Sequence, residues 1–141
     1  MGSNKMGQLG IPMIAPSVHS KESQTSDAYN VGSPVLVEAL KGMTVDQVSC
    51  GFDFTAVLCR KSRASSRNEN KKSVLRRNEV YSWGNNKYGQ LGVSELQNSN
   101  IPVRLTAFDV LDEEITQVSC GGSHSLFLTS EHDVISCGNN R

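Results

Sequence analysis

The side chains best suited by type to reaction or ligation are four cysteines, Cys50, Cys59, Cys120 and Cys137. A structural zinc site draws on cysteines about two to four residues apart. Here the nearest two, Cys50 and Cys59, are nine residues apart, so no metal site is expected. A thiol nucleophile with a histidine base is the other chemistry open to them. Against it, Cys50 and Cys120 sit in the same local context, VSCG, and a cysteine recurring in matching segments points to packing as a buried, reduced thiol. Residues 84–92 carry a GxxxxGxLG pattern but not the lysine and Ser/Thr with which a glycine-rich loop cradles a nucleotide's phosphates. Asp112, Glu113 and Glu114 form the densest acidic cluster, between Leu111 and Ile115, and read as a charged turn before a strand. No catalytic, cofactor-binding or metal-binding residue is expected.

The remaining candidate is electrostatic. Residues 60–77, RKSRASSRNENKKSVLRR, hold eight of the fourteen Lys and Arg residues: Arg60, Lys61, Arg63, Arg67, Lys71, Lys72, Arg76 and Arg77, opposed only by Glu69. The rest of the chain is acidic, although the total charge balances to zero. Three readings are open: a solvated loop with no dedicated partner, a nuclear-import or nucleic-acid contact, and a regulated arm. Ser66 lies three residues after Arg63, a spacing that basophilic kinases accept, and a phosphate there would cut the positive charge.

The elements that must hold these residues come in repeats. Residues 2–10 read GSNKMGQLG and residues 84–92 read GNNKYGQLG, identical at seven of nine positions. Residues 45–51 and 115–121, VDQVSCG and ITQVSCG, agree at five of seven. A third copy starts at residues 134–141, VISCGNNR, against VYSWGNNK at 80–87. Self-similarity at this scale marks a repeat architecture. The organisation expected is a first repeat over 2–83, a second over 84–137 and the start of a third at 138–141. The first is longer, with insertions at 11–30 and 60–77.

In the second repeat, residues 116–120, 125–129 and 133–137 are short runs rich in β-branched and apolar types, which read as strands. Residues 103–105, after Pro102, supply a fourth, since proline suits the start of a strand. Gly121-Gly122 would allow positive φ in a tight hairpin, and Glu131-His132-Asp133 turns the chain again. Gly84-Asn85-Asn86 and Gly89-Gln90-Leu91-Gly92 tolerate left-handed backbone, with Leu91 placed to plug a gap between sheets. No segment has a helical apolar period. The fold class expected is all-β, with four short antiparallel strands per blade of a β-propeller.

With VSCGGSHSLFLTSEHDVISCGNN at 118–140 and VYSWGNNKYGQLGV at 80–93, the chain resembles the RCC1 (regulator of chromosome condensation) repeat family. Kelch repeats share the length and a double glycine, but Trp83 directly before GNN, followed by GQLG, favours RCC1. The resemblance implies a propeller of seven blades, of which this chain supplies about two, so further blades are expected. It makes Gly84, Gly89, Gln90, Leu91, Gly92, Gly121, His124 and Gly138 a structural motif, with His124 bonding within its blade. Phe54 stands where the first repeat should have that histidine, which marks a divergent blade. A single tryptophan argues against an ultraviolet-sensing role built on clustered indoles.

The function expected is a protein-binding scaffold without cofactor. The alternatives are guanine-nucleotide exchange on a Ran-like small GTPase, and a propeller attached to a ubiquitin-ligase or kinase domain elsewhere. A protein partner is expected, with nucleic acid as a second partner class through the basic segment. No stretch approaches the eighteen or so apolar residues that span a bilayer, so no membrane partner is expected and the location reads as intracellular, cytoplasmic or nuclear. Deleting residues 60–77 is expected to weaken nucleic-acid binding and flatten its dependence on salt, measured by titration at several ionic strengths. An unchanged salt slope would remove nucleic acid from the partner classes.

Overall fold

In the computed structural model, residues 2–12, 29–60 and 78–141 are described. They form β1 (Gly2–Ser3), β2 (Asn30–Val31), β3 (Thr44–Cys50), β4 (Phe54–Arg60), β5 (Glu79–Gly84), β6 (Ser99–Arg104), β7 (Ile115–Cys120), β8 (His124–Thr129) and β9 (Val134–Gly138). Two short 3-10 turns, Glu38–Leu40 and Thr106–Val110, precede β3 and β7. All strand pairing is antiparallel, in sheets ordered β1-β2, β3-β4-β5-β6 and β7-β8-β9. The all-β expectation holds, and the chain is a fragment of a propeller.

The three strands expected in the second repeat appear as β7, β8 and β9, each within one residue of its expected bounds. The fourth does not join them. It runs over Ser99–Arg104 and pairs with β5, through Tyr81↔Arg104, Ser82↔Val103 and Gly84↔Ser99. The four-stranded sheet therefore takes its outer strand from the repeat that follows. Pro102 lies inside β6, where a register shift opposite Ser82/Gly84 interrupts the ladder, so its missing N–H costs little at a sheet edge.

Burial follows from which faces are covered. FTAVLCR in β4 is a continuous apolar run, and every residue but Arg60 is buried, because the sheet of β7 lies against one face and the Gln8 loop and Leu40 cover the other. Its counterpart β8, HSLFLT, alternates, with Ser125, Phe127 and Thr129 buried and His124 and Leu126 exposed. The core between the two larger sheets joins Leu58 and Val80 to Leu105, Ile115, Val118 and Phe127. Phe108 meets Phe127 edge to face at 4.9 Å between ring centres. On the other face of β4, Val57, Cys59 and Trp83 pack with Leu40 and Tyr81.

Gly121-Gly122 turns the chain between β7 and β8, but neither residue uses the positive φ that glycine allows. Gly121 is needed because a Cβ there would lie 2.2 Å from the His124 ring, and the matching Gly51 is covered by the Phe54 ring in the same way. The histidine position is thus filled by a ring laid over glycine, and Phe54 does this as well as His124. Among the described residues the imidazole has no hydrogen-bond partner, and it is the backbone carbonyl of His124 that accepts from Gly121 N–H, at 2.8 Å. In the next turn the left-handed residue is His132, at φ 72°.

Positive φ belongs to the glycines that end the third strand of each unit. Gly84 has φ +109° and Gly138 φ +111°. A Cβ on Gly84 would stand 2.4 Å from the Asp53 carbonyl oxygen, and one on Gly138 would stand 2.5 Å from that of Ser123. The close approach lets Asn85 and Asn139 N–H donate to those same carbonyls at 2.8 and 2.9 Å. Gly84→Ala should therefore lose about 2 kcal/mol of stability or more, from left-handed strain plus a backbone clash. Urea unfolding read by Trp83 fluorescence checks this, with Gly32→Ala, in open space, as the neutral control.

Candidate interaction surface

The antiparallel strands sort the candidate residues to two opposite ends of the sheets. Pairing of Phe54 with Gly84 and of Cys59 with Glu79 fixes the sense. One end carries the turns at residues 51–53 and 121–123 and the loops that follow Gly84 and Gly138. The other carries the root of the basic segment.

At the first end, the GQLG loops are built by their own polar side chains. Asn86 is fully buried, its carbonyl oxygen accepting from Leu91 N–H at 3.0 Å and its amide donating to Glu95 O. Gln90 turns back to accept from Tyr88 N–H at 2.9 Å. Asn4 and Gln8 repeat both contacts, with Leu9 N–H at 3.0 Å and Met6 N–H at 2.9 Å. Gly89 and Gly92 take the left-handed conformations, and Leu91 is fully buried as the plug between sheets.

Folded this way, each loop presents one backbone carbonyl to the next blade. Gln90 O accepts from Ser125 Oγ at 2.7 Å and from Cys137 Sγ at 3.6 Å. Gln8 O accepts from Thr55 Oγ1 and from Trp83 Nε1, both at 2.9 Å. Thr55 corresponds to Ser125 and Trp83 to Cys137, so one lock joins successive blades with different donors. Along the inner strands, Gln47 Oε1 accepts from Val118 N–H at 2.9 Å and Ser49 Oγ from Cys120 N–H at 2.8 Å. The motif residues Gly84, Gly89, Gln90, Leu91, Gly92, Gly121, His124 and Gly138 all lie in or beside these joints.

Burial pushes the Cys59, Cys120 and Cys137 thiols up, with Glu79 adding to the effect at Cys59, so they stay protonated at neutral pH. All four cysteines are free thiols, and Cys50 is exposed. Among the described residues no group of three His, Cys, Asp or Glu side chains could hold a metal ion.

The feature that sequence reasoning missed is Phe52. It is 85% exposed at the tip of the β3–β4 turn, with its N–H on Gly122 O at 3.2 Å. Its ring lies over Gly122, where a Cβ would come within 2.9 Å. The signal was present, since Phe52 puts a large apolar ring where the second repeat has Gly122. A groove of about 560 Å3 runs along the outer strand β6, between the loop at 92–99 and the start of the following 3-10 turn, lined by Val93, Gln97, Asn98, Val103, Arg104 and Thr106 among others.

At the opposite end, Arg60 pairs with Asp46 at 2.7 Å and Asn78 Nδ2 donates to Ile115 O at 3.1 Å. These two residues root the basic segment. Lys61, Arg63, Ser66, Arg67, Lys71, Lys72, Arg76 and Arg77 lie outside the described residues, as does most of the insertion at 11–30. Nearby, Arg104 bridges Asp109 and Glu79, which together hold its guanidinium protonated. The acidic run forms the turn before β7, tied to the β8–β9 turn by Ser130 N–H on Glu114 O at 2.8 Å.

A family model described as "Regulator of chromosome condensation (RCC1) repeat" matches residues 1–58 and 77–128. Among curated proteins, the chain is 34% identical over 137 residues to the serine/threonine-protein kinase Nek9 of Xenopus laevis, covering 97% of this chain and 11% of the kinase. It is 31% identical over 140 residues to a probable E3 ubiquitin-protein ligase, HERC6, of Homo sapiens, covering 99% and 11%. It is 32% identical over 145 residues to the RCC1-like G exchanging factor-like protein of Homo sapiens, covering 98% and 26%. Among solved structures, human WBSCR16 superposes with a TM-score of 0.65 at 26% identity, over 99% of this chain and 32% of that one. The chain thus spans about a tenth to a third of the proteins it matches.

The joints carry a stability cost if cut. Thr55→Val and Ser125→Ala each remove the hydroxyl from a Gln carbonyl and should cost about 1 kcal/mol apiece, checked by urea unfolding. Thr55→Val should also shift Trp83 emission, because indole and hydroxyl share one acceptor.

Proposed function

Because the chain belongs to the RCC1 repeat family, we propose that it serves as a protein-binding platform: a part of a larger propeller whose turn-tip end meets a partner. Phe52 carries the reading. The polar motif residues are consumed in joining blades, which leaves an exposed aromatic on the turn-tip rim, and aromatic side chains dominate binding energy at interfaces. The repeats at 2–83, 84–137 and 138–141 then serve as scaffold, and the whole is non-catalytic. Its place is intracellular, cytoplasmic or nuclear. Among the described residues no helix is long and apolar enough to cross a membrane. The basic segment at 60–77, whose flanking residues Arg60 and Asn78 lie at the opposite end, supplies a second, electrostatic contact, open to nucleic acid or to an acidic protein, with Ser66 as the residue whose phosphorylation weakens it.

The second reading is nucleotide exchange on a small GTPase, which the likeness to the exchange-factor-like protein supports. The likeness to Nek9 and HERC6 supports a third, in which the propeller accompanies a kinase or ligase domain. The readings separate experimentally. Phe52→Ser should weaken binding of a protein partner by about tenfold or more while leaving unfolding unchanged, as a turn-tip hot spot would. Full affinity in that variant would discard the Phe52 rim as the contact. Acceleration of nucleotide release from a small GTPase by the complete propeller would put exchange first.

A further inference from the structure

The loops that join the blades repeat one residue that takes no part in the joint. Each copy of the motif sets a basic side chain directly after its asparagine: Lys5 after Asn4, Lys87 after Asn86 and, in the third copy, Arg141 after Asn140. Asn4, Asn86, Gln8 and Gln90 are spent on backbone N–H groups of their own loops. Lys5 and Lys87 are exposed, and among the described residues neither forms an ion pair. Lys87 Nζ stands 5.4 Å from the centre of the Tyr88 ring, which leaves its charge open to solvent. The exposure belongs to the loop itself. Lys5 keeps it although a four-stranded sheet follows its loop, and Lys87 keeps it although its loop leaves that same sheet.

Both loops converge on the turn that carries Phe52. Gln8 Nε2 donates to Asp53 Oδ1 at 3.4 Å and Asn85 N–H to Asp53 O at 2.8 Å, so each lysine loop is tied to the residue next to Phe52. Asp53 is half-buried with its carboxylate engaged there, and Glu95, the exposed acid of the same end, lines the groove along β6. The opposite end is the reverse. Asp112, Glu131 and Asp133 are exposed in its turns, and its described cations Lys41, Arg60 and Arg104 are paired with carboxylates.

We propose that the turn-tip rim binds an acidic segment of a partner protein, whose carboxylates meet Lys5 and Lys87 while an apolar side chain packs on Phe52. The inference rests on the reading of that rim as the contact surface and adds the chemistry of what it takes. One cation per loop, with Asp53 among them, is too sparse for a phosphate backbone, whose affinity comes from neutralising many charges at once. It suits a protein interface, where an aromatic ring anchors the contact and opposite charges around it set orientation and on-rate.

The probe is a fluorescein-labelled peptide of alternating Asp and Glu around a central leucine, titrated with the whole chain by anisotropy, beside a single-stranded oligonucleotide of equal charge. The native chain should bind the peptide, more weakly as salt rises. Lys5→Glu with Lys87→Glu should raise the peptide Kd by about tenfold or more, because attraction becomes like-charge repulsion. Trp83 emission, which reports the Gln8 joint, should stay unchanged. Lys71→Gln, Lys72→Gln, Arg76→Gln and Arg77→Gln together should leave that lysine-dependent difference in place, which separates the rim from the basic segment. A native chain that does not bind the peptide, or binding that only the segment variant weakens, overturns the proposal. So does an oligonucleotide that displaces the peptide through the same two lysines, which would make the rim a nucleic-acid site. If Phe52→Ser weakens the peptide and the lysine pair does not, the acidic partner falls and the Phe52 rim stands; insensitivity to both ends that reading as well.

Discussion

The carbonyl oxygen of a glutamine, held out by a loop that has satisfied its own polar groups, is the contact on which the rest of this structure depends. A four-stranded sheet this short cannot bury both of its faces alone, and its stability comes from the next sheet. The Gln8 and Gln90 loops join successive sheets at one end through two donors each. Hydrophobic burial between Leu58, Val80, Val118 and Phe127 supplies the larger energy, but it is non-directional. The carbonyl lock, with Gln47 and Ser49 on the inner strands, sets the rotation at which that burial occurs.

The same lock explains what varies and what does not. Thr55 and Ser125 both bring a hydroxyl, whereas Trp83 and Cys137 bring an indole N–H and a thiol to the same acceptor. Donor chemistry is required there and side-chain volume is not, because the larger ring is absorbed against Gly10. Phe54 for histidine works likewise: the requirement is a flat ring over glycine, and the apolar ring also suits a face buried by the next sheet. Divergence at these positions keeps the geometry while changing the atoms.

Function is then pushed to what the joints leave over. At one end Phe52 remains exposed, and at the other the ion pairs Arg60–Asp46 and Arg104–Glu79 border the root of the basic segment.

Short-range signals in the sequence determined the repeat, the strands β7, β8 and β9, the loops around Gly84 and Gly92 and the burial of Leu91. Alternating apolar residues and turn types act over a few residues and survive any change of neighbours. Sheet membership was not legible, since β6 joins β5 through pairings that cross a loop and oppose the boundary suggested by the repeat. Nor was the reason for Gly121, which lies in the close approach of His124 and not in its own dihedrals. Val48 and Val118 are the same residue in the same motif, yet one is exposed and the other buried. Only the tertiary structure decided that, because burial depends on whether another sheet lies alongside and not on the strand itself.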